Sequence, residues 1–366
     1  MTMPESRPRA RDLGLHIGPF SPGPHNAITD VPGIRVGHIT LISGDGPLRI
    51  GHGPVRTGVT AIVPPGDDWY AEPVEAGNFV FNGAGTTTGL SLIDEYGRIE
   101  TPVLLTNTLS VGAVYEGIVR YMVQRTFAPR GVVPWFNPVV GETADGFLND
   151  IGGLHVRPEH AVEAIDVAAT GDVEEGAVGA GTGTGAFGFK GGIGTSSRVV
   201  DIGGEQAVIA TLVQSNFGGR LSIDGVPMAD VQRSVGRPAP PAAGASLMMI
   251  VATDLPLSNR LLNRLSKRAT LGMARTGSSG GHASGDYVIA FSTTYRAEDA
   301  MPLARREIAR NEQAIDIAFG AVADATEEAI LNSLFRAHTV VGADGNALQA
   351  LPIEPVVDRL RQAGRL

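Results

Sequence analysis

The chain has 366 residues, 43% of them hydrophobic, with 49 glycines, 24 prolines and no cysteine. That is ample apolar material for a large core, and the glycine and proline content calls for many turns and close backbone approaches. A net charge of −9 argues against nucleic acid or an anionic membrane surface as the main partner, and the absence of cysteine removes disulfides, a thiol nucleophile and Cys-based zinc sites.

Residues 1–25 read as a polar, proline-containing N-terminal arm. "MTMPESRPRARDLGLHIG" carries basic residues but no apolar run of roughly 7–15, so no secretory signal is expected. No stretch reaches about 18 uninterrupted apolar residues, so no transmembrane helix is expected and the default compartment is cytoplasmic. From "AITDVPGIRVGHITL" to about residue 75, short β-branched runs between Gly and Pro turns predict strands and hairpins. "VGAVYEGIVRYMVQRTF" (111–127) predicts a helix with Val114, Ile118, Tyr121 and Met122 on one face.

The most glycine-rich stretch is "GAVGAGTGTGAFGFKGGIGTSS" (176–197). Within it "GTGAFG" fits the dinucleotide fingerprint literally, but no strand-then-helix context surrounds it. A close-packed turn system is the better reading. "EQAVIATLVQ" (205–214) predicts a buried strand ending at Ser215–Asn216. The only composition break is the Pro/Ala/Gly segment 236–245, and no repeat of fixed period occurs.

At Ser246 that segment gives way to a core strand beginning "SLMMIV". "SNRLLNRLSKRATLGMA" predicts an amphipathic helix with Ser258 as N-cap and Leu261, Leu262 and Leu265 inward. "YVIAFST" (287–293) returns as a strand. "PLARREIARNEQAIDIAFGAVA" then predicts a second helix and "DATEEAILNSLFRA" a third, opened by Asp324 and Glu327 as a capping-box-like start.

Several familiar chemistries are missing from the sequence. The eight histidines form no H-E-x-x-H, and the two in "HVRPEH" (155–160) are separated by a proline, so no metal site is expected. No G-x-S-x-G surrounds a serine. Ser246 has a different option. Cleavage of the Ala245–Ser246 bond would place its hydroxyl beside its own α-amine, whose pKa of about 8 suits a base near neutrality. Ser284 and Asp286 straddle one glycine just before a strand, so in extended chain both side chains point one way, toward the start of a neighbouring strand. Ser-Gly-Asp is also ordinary turn chemistry, and a Gly-Ala-Ser stretch is ordinarily just a loop.

From "NAITDVPGIRVGHITL" through "TNTLSVGAVYEG", "VVGETADGFLNDI", "GAGTGTGAFGFKGGIGTSSR", "LVQSNFGGR" and "SLMMIVATDLPL" to "GHASGDYVIAFST", the chain resembles the DmpA/BapA family of self-processing aminopeptidases. The resemblance covers nearly the whole length and implies a single α+β domain, a four-layer αββα sandwich related to N-terminal-nucleophile hydrolases but differently connected. It implies self-cleavage into an α-chain 1–245 and a β-chain 246–366, with Ser246 as nucleophile. Ser284 and Asp286 match the pair that orients it, Asn216 the oxyanion-hole amide, and Glu142 the carboxylate that holds the substrate's free amine. Asn107 falls in a segment near the pocket. No cofactor is implied; the expected substrates are short peptides, amides or esters with a free amine, and the expected assembly is a homotetramer. Two positions depart from the family pattern: Ala144 stands where an aromatic residue, typically Tyr, is common, and Ala245 where Gly or Asn is also found. A rival reading is an acyltransferase of the ornithine-acetyltransferase type, which typically uses threonine as nucleophile; a catalytically decayed binding homologue is another.

Overall fold

Successive residues of the strand that begins at Ala245 face opposite ways, and both faces are buried. Leu247, Met249 and Val251 join one apolar cluster, while Met248, Ile250 and Ala252 join another. Such a strand needs a layer on each side of its sheet, and that requirement sets the architecture. The computed structural model describes residues 6–202, 204–234, 245–294 and 314–366. Nearly all of the Pro/Ala/Gly segment, and the start of the predicted second helix, lie outside them.

The N-terminal part supplies strands β1 (Arg35–Ser43), β2 (Val55–Val63) and β3 (Val74–Gly83), helix α1 (Leu90–Tyr96), and strands β4 (Arg98–Ile99) and β5 (Val103–Thr106). Helix α2 (Val111–Met122), strand β6 (Val139–Glu142) and helix α3 (Pro158–Asp166) follow. Two long strands, β7 (Ile193–Ile202) and β8 (Glu205–Asn216), precede the serine strand β9 (Ala245–Thr253). The chain then runs through α4 (Asn259–Arg275), β10 (Ser284–Ser292), α5 (Ala314–Phe335) and α6 (Ile353–Gln362).

The strands form a four-stranded sheet, β1-β2-β5-β6, and a six-stranded sheet, β4-β3-β10-β9-β8-β7. Ile62, Val103, Leu105 and Val139 from the first meet Leu212, Met248, Ile250 and Ile289 from the second. On the outer face of the four-stranded sheet, Val59, Ala61 and Leu104 pack against Val114 and Ile118 of α2 and Ala161 of α3. On the outer face of the six-stranded sheet, Leu247, Met249 and Val288 pack against Leu262 and Leu265 of α4 and Val322 and Ala329 of α5. The result is the expected αββα sandwich.

Helix α2 and strands β8 and β9 fall where the sequence put them, and Ser258 is the N-cap position of α4. The separate second and third helices are corrected. Residues 314–335 form one continuous helix, and Asp324 and Glu327 lie in its middle rather than at a start. Both carboxylates turn toward Arg275 of α4, with Asp324 Oδ1 at 2.6 Å and Glu327 Oε2 at 3.6 Å from its Nη1, so they serve helix–helix packing and not a cap. The described part of the N-terminal arm is docked on the core: Ala10, Leu15 and Ile17 are buried, and Arg11 pairs with Glu328 of α5.

The glycine-rich stretch packs tightly. A Cβ on Gly183 would stand 2.2 Å from the Arg56 carbonyl oxygen, and one on Gly181 2.5 Å from the Ile193 nitrogen. Only glycine permits these approaches.

Candidate active site

The C-terminal ends of β5, β6 and β8 and the N-terminal ends of β9 and β10 meet at one rim of the sandwich, between the two sheets. Register fixes what gathers there. Ser246 lies opposite Asn216 across the antiparallel β8–β9 pair and opposite Gly285 across the parallel β9–β10 pair. Ser246 and Asn216 therefore emerge on one face, the same face as Met248 and Gln214, looking into the space between the sheets. Gln214 confirms the direction by donating from Nε2 to the Thr106 carbonyl of β5 at 3.0 Å.

Ser246 is buried, and its Oγ donates to the Ala245 carbonyl oxygen at 2.7 Å. The hydroxyl thus rests against the carbonyl group of the bond that would be cut.

Ser284 and Asp286 pair with Ala245 and Leu247, one residue either side of Ser246, and so occupy the opposite face of the sheet. They address the main chain of Ser246 and not its side chain. Ser284 Oγ donates to Asp286 Oδ1 at 2.8 Å, while Oδ2 is buried without a hydrogen bond among the described residues. Burial pushes the Asp286 carboxyl up to about 6, against the Ser284 hydroxyl and the Leu247 N–H, which favour its charged form.

Glu142 ends β6. Its Oε1 accepts the Thr86 N–H at 2.8 Å and its Oε2 accepts the Thr108 hydroxyl. Gly85 connects this carboxylate to β10, the strand beside Ser246. A Cβ there would lie 2.8 Å from Glu142 Oε1 and 3.3 Å from the Cα of Gly285, the residue opposite Ser246. Tyr287 donates to the Gly85 carbonyl at 2.7 Å. Burial, then the nearby Glu142 charge, raises the pKa of its phenol above the ordinary value.

Asn216 is held at both ends of its amide. Oδ1 accepts the Gly185 N–H at 3.1 Å, and Nδ2 donates to the Ala144 carbonyl at 2.7 Å. Those two partners fix which way round the amide sits. Asn107 plays a scaffolding part. Its Oδ1 accepts from the Leu109 and Ser110 N–H groups, and its Nδ2 donates to Thr57 Oγ1 at 2.8 Å. It caps the turn that carries Thr108 to Glu142, and none of these hydrogen bonds goes to Ser246. Thr86, Thr108 and Tyr287 escaped the sequence reading. The one signal for them was adjacency, since each neighbours a glycine-rich turn or a singled-out residue.

A strand-opening serine in an αββα sandwich, its main-chain nitrogen flanked by a buried Ser–Asp pair, defines an N-terminal-nucleophile hydrolase. The chain belongs to peptidase family S58, whose pattern matches residues 26–348. It is 43% identical to the β-peptidyl aminopeptidase BapA of Sphingosinicella microcystinivorans, over 94% of this chain and 90% of that one. Among solved structures, the PH0078 protein of Pyrococcus horikoshii superposes with a TM-score of 0.89 at 46% identity, covering 98% of this chain and 100% of that one. The L-aminopeptidase D-Ala-esterase/amidase of Ochrobactrum anthropi, described as a prototype of the serine aminopeptidases and a variant of the Ntn hydrolase fold, superposes with a TM-score of 0.86 at 40% identity, covering 98% and 100%. The protein is thus an aminopeptidase, and the acyltransferase alternative draws no support from these relatives. Among the described residues, no helix is long and apolar enough to cross a membrane.

Proposed function

We propose that the chain cuts itself between Ala245 and Ser246 and then removes the N-terminal residue of short peptides, amides or esters through an acyl-enzyme on Ser246. The observation that carries this is the 2.7 Å contact between the Ser246 hydroxyl and the carbonyl of its preceding residue. In the precursor, Oγ attacks the Ala245 carbonyl carbon, its proton passes to the Ser246 nitrogen, and the C–N bond breaks to leave an ester. Water hydrolyses that ester, leaving an α-chain 1–245 and a β-chain 246–366 that starts with a free amine.

That amine forms on the strand axis, between Ser284 and Asp286. In its protonated form the amine gives Asp286 Oδ2 a cationic donor, and after releasing that proton to water its neutral form takes the Oγ proton when Ser246 attacks a substrate. Asn216, directly opposite Ser246, donates to the developing oxyanion, an effect typically worth about 3–4 kcal/mol. Glu142 holds the substrate's ammonium group, which confines attack to the first peptide bond.

Relatives named for β-peptides and for L- and D-residues make β-, L- and D-amino-acyl p-nitroanilides the panel for defining preference. Assembly into a homotetramer of processed protomers and a cytoplasmic location complete the proposal and rest on family resemblance. The test is Ser246→Ala. Purified wild type should give two bands on a denaturing gel with a β-chain mass starting at Ser246, and the variant one inactive full-length chain. A variant that still splits at this bond would place the nucleophile elsewhere.

A further inference from the structure

Lys190 has no place in the chemistry above, yet it is fully buried behind Asn216. Its Nζ donates to the carbonyl oxygens of Gly181 at 2.8 Å, Thr184 at 2.6 Å and Gly191 at 2.8 Å. An ammonium has three N–H donors, and three carbonyls receive them. One of those contacts reaches the active site directly. The Thr184 carbonyl and the Gly185 N–H are the two ends of a single peptide group. Lys190 grips one end at 2.6 Å, and the other end donates to Asn216 Oδ1 at 3.1 Å.

The second support of Asn216 also runs through a single peptide group, this one carrying a buried charged side chain of its own. The Ala144 carbonyl that accepts from Asn216 Nδ2 belongs to the peptide group shared with Asp145. Asp145 is buried, and its Oδ1 accepts from Asn149 Nδ2 at 3.0 Å. The two supports also touch, since a Cβ on Gly183 would lie 2.8 Å from Asp145 Cβ, and the carboxylate and the ammonium attract each other.

We propose that Lys190 and Asp145 are positioning residues that lock the two peptide groups holding Asn216, and so fix its amide in the orientation an oxyanion donor requires. Without the ammonium, the Thr184 carbonyl keeps the long 3.4 Å contact from the Gly191 N–H, a weak hold that lets the Thr184–Gly185 peptide rotate and present its carbonyl where its N–H now stands. The Asn216 amide would then turn over to match, putting oxygen where the oxyanion needs a donor.

The inference rests on the role proposed for Asn216, and a double-mutant cycle separates the two. Hydrolysis of β-alanyl p-nitroanilide is measured for wild type, Lys190→Met, Asn216→Ala and the double variant, with self-cleavage half-lives read on gels for all four. Lys190→Met should lower kcat by roughly ten- to a hundredfold with KM changed less than about threefold, a loss within what removing an oxyanion donor costs. In the Asn216→Ala background the same substitution should change kcat less than about threefold, because its effect passes through an amide no longer present. Asp145→Asn in place of Lys190→Met should repeat the pattern, and it carries the test if the Met variant fails to fold. If Asn216→Ala itself keeps near-full rates, the oxyanion assignment falls. If Asn216→Ala is slow and the second substitution multiplies in with its full effect, the positioning role is overturned, and Lys190 and Asp145 are scaffold only.

Discussion

Two carboxylates lie buried on the same side of the six-stranded sheet and are treated in opposite ways. Glu328 of α5 is fully provided for. Arg198 Nη2 donates to it at 2.7 Å, Arg11 Nε at 3.0 Å and Asn26 Nδ2 at 2.5 Å, in a cluster joining the N-terminal arm, β7 and α5. Among the described residues, Asp286 of β10 has neutral donors alone, the Ser284 hydroxyl and the Leu247 N–H, and its Oδ2 has no hydrogen bond. A buried charge with good partners is part of the scaffold, and losing one partner is costly because the other remains buried. A buried carboxylate left short of partners is held at a stability cost, and here it lies beside the bond whose cleavage would create a cation. The contrast teaches that burial alone does not separate a scaffold carboxylate from a candidate functional one; what singles out Asp286 is its lack of a cationic partner beside the bond proposed to be cut.

The largest effects separate these two carboxylates by what they change. Ser284→Ala and Asp286→Asn should each slow self-cleavage and turnover by orders of magnitude, on the order of 10²–10⁴ as for other coupled catalytic groups, while the protein stays folded. Glu328→Gln should do the reverse. It leaves Arg198 buried without its ion pair, costs about 3–5 kcal/mol of stability, and leaves the rates of the folded fraction intact. Thermal melts alongside p-nitroanilide rates distinguish the two. Near-full activity in Asp286→Asn would reduce the Ser-Gly-Asp segment to turn chemistry.

Glu142 stands between the extremes, with a donor on each oxygen but both of them neutral. A substrate ammonium would complete its shell, and acetylating the substrate removes that charge. Breaking one side of a buried charged pair costs about 2–5 kcal/mol. The corresponding fall in kcat/KM is roughly thirtyfold to several thousandfold. Glu142→Gln should narrow the gap by slowing the free-amine substrate alone. Equal rates on acetylated and free forms of one anilide would remove the amine-binding role.

The unsatisfied state of Asp286 should also be visible in stability. Its carboxyl titrates at about 6 in the folded chain, above its ordinary value of 3.8. A raised folded pKa means the unfolded chain gives up its proton first as pH rises, so ionisation favours unfolding between those values. The full penalty, about 3 kcal/mol for about two units, is present only above the folded pKa. In an uncleavable Ser246→Ala background, Asp286→Asn should therefore raise the melting temperature at pH 7.5. The gain should shrink through pH 6 and vanish near pH 4. A gain that does not depend on pH would mean packing, not desolvation, separates the two variants.

Much of this was readable along the chain. The strand at Ser246 announces itself by an apolar run after a Pro/Ala/Gly break, and Ser284 and Asp286 by their spacing before a strand. What escaped was either too buried or too far away in sequence. Helix α5 is buried on nearly every side in its second half, so Asp324 and Glu327 looked like a polar helix start when they are interior partners of Arg275. Lys190 sits in a glycine tract, and its three acceptors are backbone carbonyls that no side-chain pattern reveals. The arm's arginines reach Glu175 and Glu328, more than 160 residues away along the chain, and short-range pattern cannot show such pairs. Asn107 stood out only through the family resemblance, and its hydrogen bonds to the Leu109 and Ser110 N–H groups needed coordinates to be seen.

The smallest expected effect concerns Ala144, where the family pattern often has an aromatic residue. A missing phenol hydroxyl would matter greatly if it supplied the main support of the oxyanion site. The hydrogen bonds of the Asn216 amide instead run to the backbone. Asn216 Nδ2 donates to the carbonyl of residue 144, which is present whatever the side chain. The amide's other support, the Gly185 N–H, comes from a different segment altogether. Residue 144 is only half-buried, so a larger side chain has a route outward and need not disturb the clamp. Ala144→Tyr should therefore fold and self-cleave, with kcat on a small anilide shifted by no more than about tenfold, the scale of one partly exposed neutral hydrogen bond. Any larger change should appear in KM for bulky substrates, because the ring narrows the space beside Asn216. A hundredfold rise in kcat would show that the phenol is a principal donor whose loss this chain never compensated. A hundredfold fall with unchanged KM would show that the side chain at 144, and not only its carbonyl, sets the position of Asn216.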